Sequence, residues 1–435
     1  MVPDAAVQEQ QPTVLSLEDA IRIALSENTS VKVADKEIER VGYARKGSYA
    51  ALFPNIDLSG AYQRTIKKQM MYMDVPVPGL GDGLEVGRWN TWSAGVSASM
   101  PLVNAQLWKS IRISGLDVEL AVEKARSSRI ETVTQVKQTY FSVLLAKEAF
   151  NVYKIVYENA VYNLEQTQRK YNAQRASELD LARAKTNVAN AVPDVYDAES
   201  SIALCLWQLK AVIGMDLDAP IDVQGALKDY SEHMFYDIHQ HDEISLEKNS
   251  TMRQLAIQAD ELAEAVRLQK AAYYPSLSLG FNFSLNAMTN DFKFNEYKWS
   301  PYSYVGLSLN IPIFSGGKRL NQVRQAKVQA TELDLQRINT ERQLKIAIRQ
   351  SLNSMETAMK SYTSAQSAVE SAQKAYDIAS KSYEVGRSTL TDLNVAQLSL
   401  TQAQLSVAQA IFSFVSGKAS LEGTLGFDLT DTSNE

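Results

Sequence analysis

Four short stretches of the chain, at roughly 54–65, 92–103, 275–286 and 303–314, alternate between apolar and small or polar residues. In the third, Leu277, Leu279, Phe281, Phe283 and Leu285 take one face, and Ser276, Ser278, Gly280, Asn282 and Ser284 the other. In the fourth, Val305, Leu307, Leu309, Ile311 and Ile313 oppose Gly306, Ser308 and Asn310. A period of two with one apolar face predicts strands. Each is about a dozen residues long, close to the ~9–11 that a tilted strand needs to cross a bilayer.

Elsewhere the period is helical. Between Lys318 and Tyr383 there is no Gly or Pro, which allows a helix of roughly 100 Å at 1.5 Å per residue. The matching stretch 105–171 contains only Gly115. Farther on, Leu393, Ala396, Leu400, Ala403, Val407, Ala410, Phe414, Gly417 and Leu421 recur at alternating steps of three and four. Leu181, Ala184, Val188, Ala191, Val195, Ala198, Ile202, Cys205 and Leu209 do the same. Such a seam predicts coiled-coil packing, with the alanines keeping it narrow. Cys205 takes a small-residue place on that seam and reads as packing, not as a reactive thiol. Pro193 predicts a kink in one copy only, since Leu405 stands at the equivalent position.

The chain repeats itself. "AGVSASMPLV" from Ala94 matches "VGLSLNIPIF" from Val305, and "FPNIDLSGAY" from Phe53 resembles "YPSLSLGFNF" from Tyr274. "YNAQRASELDLARA" from Tyr171 matches "YEVGRSTLTDLNVA" from Tyr383, and Gly214 falls on Gly426 at the same shift. The expected organisation is a flexible segment 1–14, a first repeat 15–221, a polar linker 222–245, a second repeat 246–429 and a tail 430–435. Each repeat reads as helix, two strands and a long helical hairpin.

Aromatic residues crowd the loop-side ends of the second and fourth strands: Trp89, Trp92, Tyr297, Trp299, Tyr302 and Tyr304. They fit a girdle at lipid headgroups, or loop aromatics packed on an ordinary sheet. Four strands cannot close a barrel, and open edges in hydrocarbon leave backbone groups unpaired. Membrane strands here would therefore require several copies sharing one barrel.

A net charge of −6 over 435 residues offers no footprint for nucleic acid. One cysteine permits neither an internal disulfide nor a cysteine zinc cluster. No run approaches the ~18 consecutive apolar residues of a membrane helix. The first residues lack the basic and apolar regions of a signal peptide and read as the lead-in of a mature chain. "FSGGKR" has Pro312 where a phosphate loop needs glycine, so it reads as a strand-to-helix corner. His239 and His241 could share a face and hold a metal, but with His233 they read better as part of a solvated linker. No nucleophile has a plausible base, and neither an enzyme nor a cofactor is expected. At the hairpin turns, Ser177-x-x-Asp180 and Thr389-x-x-Asp392 match helix capping boxes. A second reading coexists with the first: equivalent aspartates from several copies would make a negative constriction.

The duplicated layout, with "LNIPIFSGGKRLNQVRQA" and "YEVGRSTLTDLNVAQLSLTQAQ", resembles the TolC-type outer-membrane efflux proteins over about 15–429. The resemblance implies a mainly α fold with a membrane β-barrel. Three copies would share a 12-stranded barrel that continues into an α-helical coiled-coil tunnel through the periplasm. The expected role is a passive duct in the outer membrane of a Gram-negative bacterium, in tripartite efflux or type I secretion. An inner-membrane transporter would deliver substrates through a periplasmic adaptor. By resemblance, Arg175, Ser177, Gly386, Arg387 and Thr389 would meet the adaptor, and Asp180 and Asp392 would form the periplasmic gate. Some members carry a second acidic residue one turn on, where this chain has Val395. Pro101, Pro312, Gly316 and Gly317 would turn the chain from barrel to tunnel, while Trp89, Trp92, Trp299, Tyr302 and Tyr304 would form the girdle. The alternative is a non-membrane coiled-coil scaffold or adhesin-like stalk. A duct needs the apolar exterior of Leu277, Phe281, Leu307 and Ile311, which a scaffold does not.

Overall fold

The computed structural model describes residues 12–72, 83–235 and 245–427. His239, His241, most of the N-terminal segment and the tail from 430 lie outside the described residues. In chain order the elements are β1 (Thr13–Leu15), α1 (Leu17–Glu27), α2 (Thr29–Ala50), β2 (Asn55–Arg64), β3 (Gln69–Tyr72), β4 (Gly83–Val86), β5 (Asn90–Val103), α3 (Ala105–Asn172) and α4 (Glu178–Ile213). There follow β6 (Ile221–Val223), α5 (Ser250–Ala271), β7 (Ser276–Thr289), β8 (Ser300–Asn310), α6 (Lys318–Glu384) and α7 (Leu390–Leu425).

The chain forms two compact units that cut across the sequence repeats. One comprises Glu39–Leu120 and Ile257–Asp334; the other gathers Ala121–Ala256 with the chain up to Ile38 and from Leu335 onward. Each repeat contributes a pair of strands to the first unit and a helical hairpin to the second, so neither repeat packs as a domain of its own.

In the strand-bearing unit, β2, β5, β7 and β8 form one antiparallel sheet in that order, leaving β2 and β8 as its edges. β3 and β4, unforeseen in the sequence, pair as a separate ribbon within the segment joining β2 to β5. β8 ends at Asn310, short of the expected Phe314 and two residues before Pro312, because its partner β7 begins at Ser276, opposite Asn310. Pro101 does lie within a strand, where the register slips between Pro101 and Val103. In the same unit, Glu264 is buried on α5 and pairs with Lys109 of α3 at 3.1 Å and with Arg267.

In the helical unit, Val136, Tyr140, Phe141, Leu209, Ile213, Phe414 and Leu421 form a core that takes in Ala20, Ile21 and Ala24 of α1. β1 pairs with β6 in parallel, so the lead-in expected to reach residue 14 becomes structured by Thr13. The Tyr140 hydroxyl lies 2.7 Å from the carbonyl oxygen of Gln224 and 3.2 Å from that of Leu15, and burial pushes its pKa up to about 12. The linker is not simply polar either, since Leu227 and Met234 enter this core. α4 is helical from end to end with Pro193 inside it. α7 is long and apolar enough to cross a membrane by composition alone. Several of its apolar residues, Ile411, Phe414 and Val415 among them, are instead packed in this core, while Val395 and Leu398 are exposed.

The repeats are visible as matched junctions. Asn28 donates from Nδ2 to the Val212 carbonyl, and Asn249 to that of Thr424, both at 2.6 Å. Gly214 and Gly426 end the two return helices in the left-handed region, with φ of 76° and 78°. A Cβ on either would strike backbone, at 2.7 Å from the Glu27 oxygen or 2.3 Å from that of Lys248.

Candidate functional site: the sheet faces and the hairpin tips

Residues directly opposite in an antiparallel ladder share a face. Leu277, Leu279 and Phe281 oppose Leu309, Leu307 and Val305. Leu279 and Phe281 also oppose Met100 and Ala98, and Ala98 in turn opposes Ile56. One face is therefore apolar across all four strands, and Ile56, Leu58, Val305, Leu307 and Leu309 stand exposed on it. The other face is mostly small or polar, with serines, asparagines and glycines predominating and Asp57, Tyr302 and Tyr304 among them; one row runs Ser59, Gly95, Ser284 and Tyr302. Gly95 is required there by close approach, because a Cβ would lie 2.8 Å from the Phe283 carbonyl oxygen.

The register divides the expected girdle. Trp92 opposes Tyr62 and Ala287 on the apolar face. Its ring lies 4.3 Å from that of Tyr62 and 4.9 Å from that of Phe294, leaving Trp92 Nε1 buried without a hydrogen-bond partner. Trp89, just before β5, carries the Lys68 ammonium 4.5 Å above its ring, and Trp299 is exposed. Tyr302 and Tyr304 do not belong with them. They oppose Ser284 and Asn282, so both lie on the polar face. Their even numbers set them out of phase with Val305, Leu307 and Leu309, a parity legible in the sequence but overridden by their aromatic character.

The strand-to-helix corners differ between the repeats. Asn104 caps α3 through its Oδ1, which accepts from the Leu107 N–H at 3.2 Å. In the second repeat Gly316 and Gly317 turn with φ of 59° and 82°. Arg319 then folds back: its Nη1 donates to the Pro312 carbonyl at 2.8 Å, its Nε to Ser315 Oγ at 3.0 Å, and its guanidinium lies over Tyr273. Sequence reasoning missed this buried arginine, whose only signal was a long cation in a corner of small residues.

At the tips, both hairpins turn alike. Gln174 occupies the left-handed region at φ 58°, and Gly386 at 76°. Arg175 and Arg387 each donate their backbone N–H across the turn at 2.7 Å, to Lys170 and Ser382. Both expected capping boxes form. Asp180 N–H donates to Ser177 Oγ at 3.1 Å and Asp392 N–H to Thr389 Oγ1 at 3.2 Å. Each carboxylate accepts in return from the N–H of its cap residue. The Thr389 hydroxyl and N–H hold the Asp392 carboxyl below its usual range.

The hairpins are tied together by residues that sequence reasoning missed. Tyr383 OH lies 2.5 Å from Thr167 Oγ1, which is buried and itself donates to the Asn163 carbonyl. Lys170 Nζ donates to the Tyr383 carbonyl at 2.6 Å and lies over its ring. Beside them Ala184, Leu390 and Leu393 form a small apolar cluster with Tyr383. Tyrosine recurs at equivalent places in the two tips, as Tyr171 and Tyr383, and only Tyr383 is buried.

The family model for outer membrane efflux proteins matches residues 20–215 and 243–426, one block in each repeat. The chain belongs to the outer membrane efflux protein family. It is 22% identical over 328 residues to the alkaline protease secretion protein AprF of Pseudomonas aeruginosa, covering 74% of this chain and 66% of AprF. It is 23% identical to the cobalt-zinc-cadmium resistance protein CzcC of Cupriavidus metallidurans, covering 77% of this chain and 72% of CzcC. The fold matches the Campylobacter jejuni CmeC outer membrane channel with a TM-score of 0.74 at 20% identity, covering 99% of this chain and 96% of that one. The efflux protein is thus an outer-membrane channel of the Gram-negative type, and a scaffold or stalk is not favoured. The family is made up of channel proteins, not enzymes.

Proposed function

We propose that this efflux protein is the passive outer-membrane duct of a tripartite efflux or type I secretion system. Three copies would share one 12-stranded barrel. The observation that carries this reading is a sheet with one exposed apolar face and two free edges. β2 and β8 run antiparallel to each other, so β8 of one copy can continue the ladder on β2 of the next. Closure satisfies backbone groups that hydrocarbon would otherwise leave unpaired. The apolar face would meet lipid, with Trp89, Trp92 and Trp299 near the headgroups. Pro101, Pro312, Gly316 and Gly317 would mark the exit from the barrel wall.

The hairpin tips are the proposed meeting point with a periplasmic adaptor, through Arg175, Ser177, Gly386, Arg387 and Thr389. Asp180 and Asp392 first complete the capping boxes of Ser177 and Thr389 and, repeated in a trimer, would form the negative lining of a constriction. Tyr383, Thr167 and Lys170 hold the hairpins together, so opening would have to break these bonds. An inner-membrane pump would supply the energy. The test is light scattering of the detergent-extracted protein, corrected for bound detergent. A protein mass of about three times 48.3 kDa supports the shared barrel. A monomer that stays soluble without detergent rejects it.

A further inference from the structure

We propose that the polar face of the sheet carries a binding row for organic cations with an aromatic or apolar body, built by Asp57 and Tyr304 with Tyr302 beside it. This rests on the reading that the polar face lines the channel. The ladder sets Asp57 opposite Ser97, Ser97 opposite Asn282 and Asn282 opposite Tyr304, so carboxylate and ring share one cross-strand row. Among the described strand residues of that face, Asp57 is the one formal charge, and Tyr302 and Tyr304 are the only rings.

The rings stand clear of their surroundings. Tyr302 is 60% and Tyr304 51% exposed, and their centroids are 5.7 Å apart with the planes tilted by 47°. Serine, asparagine and glycine surround them: Ser284 and Asn282 opposite, Gly306 next along β8. An exposed ring face attracts a cation through its quadrupole, most of all a weakly hydrated organic one. A carboxylate in the same row selects the same sign of charge. A small hydrated metal ion gains little from the rings, and an organic anion is repelled by Asp57.

Within one chain, Asp57 and Tyr304 are separated by about 14 Å, three strand spacings of roughly 4.8 Å. Joining the sheet edge to edge with the next copy would place β8, with its rings, beside β2 of that chain, with its carboxylate. In the proposed trimer, rings and carboxylates would then alternate around the lumen.

The probe is tetraphenylphosphonium, with tetraphenylborate as its anionic counterpart of the same shape. Binding to the detergent-purified protein is measured by equilibrium dialysis, in an Asp180→Asn/Asp392→Asn background that removes the two capping-box carboxylates. The expected result is preference for the cation, with affinity about three- to tenfold weaker in Tyr304→Ala and preserved in Tyr304→Phe. Asp57→Asn should reduce the preference over tetraphenylborate, the rings retaining part of it. Unchanged cation affinity in Tyr304→Ala, in a protein of unchanged assembled mass, overturns the proposal. Tyr304→Arg separates that failure from failure of the underlying reading: loss of assembly in this variant would mean that the polar face meets lipid, and the row falls with the channel orientation.

Discussion

Arg319 and Asp392 show how much rests on single side chains. The Arg319 guanidinium is buried and donates to the Pro312 carbonyl and Ser315 Oγ. Removing it breaks two part-buried bonds from a charged donor, at about 1.5–3 kcal/mol for hydrogen bonds of that kind. Arg319→Met should therefore lower the stability of the purified protein by about 2–4 kcal/mol in urea melts, whereas an exposed cation such as Arg22 should tolerate the same change. Asp392 carries a pH dependence. Its native pKa lies below the ordinary value because Thr389 bonds the carboxylate. Its contribution is therefore fully present above the unfolded pKa and is lost as pH falls through the native one. Stability should be insensitive to this group between about pH 5 and 8. It should decline in stronger acid, more steeply in the wild type than in Asp392→Asn, as thermal melts across that range would reveal.

The same turn built from different residues gives a comparison between elements. Gln174 and Gly386 hold equivalent left-handed positions, and open space surrounds the Cβ that Gly386 lacks. Only backbone strain should separate the residues, at about 1–2 kcal/mol. Gly386→Ala should destabilise its hairpin by that amount and Gln174→Gly should relieve the other, a pair of opposite shifts measurable by hydrogen exchange at the tips. The buried Tyr383 ties the second hairpin to Thr167 of the first, whereas Tyr171 at the equivalent place is exposed. Tyr383→Phe removes a hydroxyl bond to buried Thr167 and should increase exchange near residues 160–170 without dissociating the assembled protein. If exchange there is unchanged, the bond does not hold the hairpins.

For the molecule as a whole, two arginines test which face meets lipid. Phe281 and Tyr304 lie on adjacent paired strands but on opposite faces. Phe281→Arg places a cation against lipid at about 2–4 kcal/mol near the midplane and should prevent outer-membrane assembly. Tyr304→Arg places it on the polar face and should still assemble, so fractionation and detergent extraction of both variants decide the matter. Equal loss of assembly would mean that neither face is lined by water.

Local order sufficed for much of this. Alternation located the four sheet strands, the three-and-four spacing located the return helices, and Ser177-x-x-Asp180 and Thr389-x-x-Asp392 foretold their caps. Each of these depends on neighbours within a few residues, where side-chain period and backbone hydrogen bonding act directly. The pairing of β5 with β7, the corner clamp of Arg319 and the tie from Tyr383 to Thr167 join residues far apart in the chain, so no local period encodes them. The polar-face tyrosines lie between the two cases. Their parity was legible from the start, but only the ladder, by setting Tyr304 in one row with Asp57, gave that parity a chemical meaning.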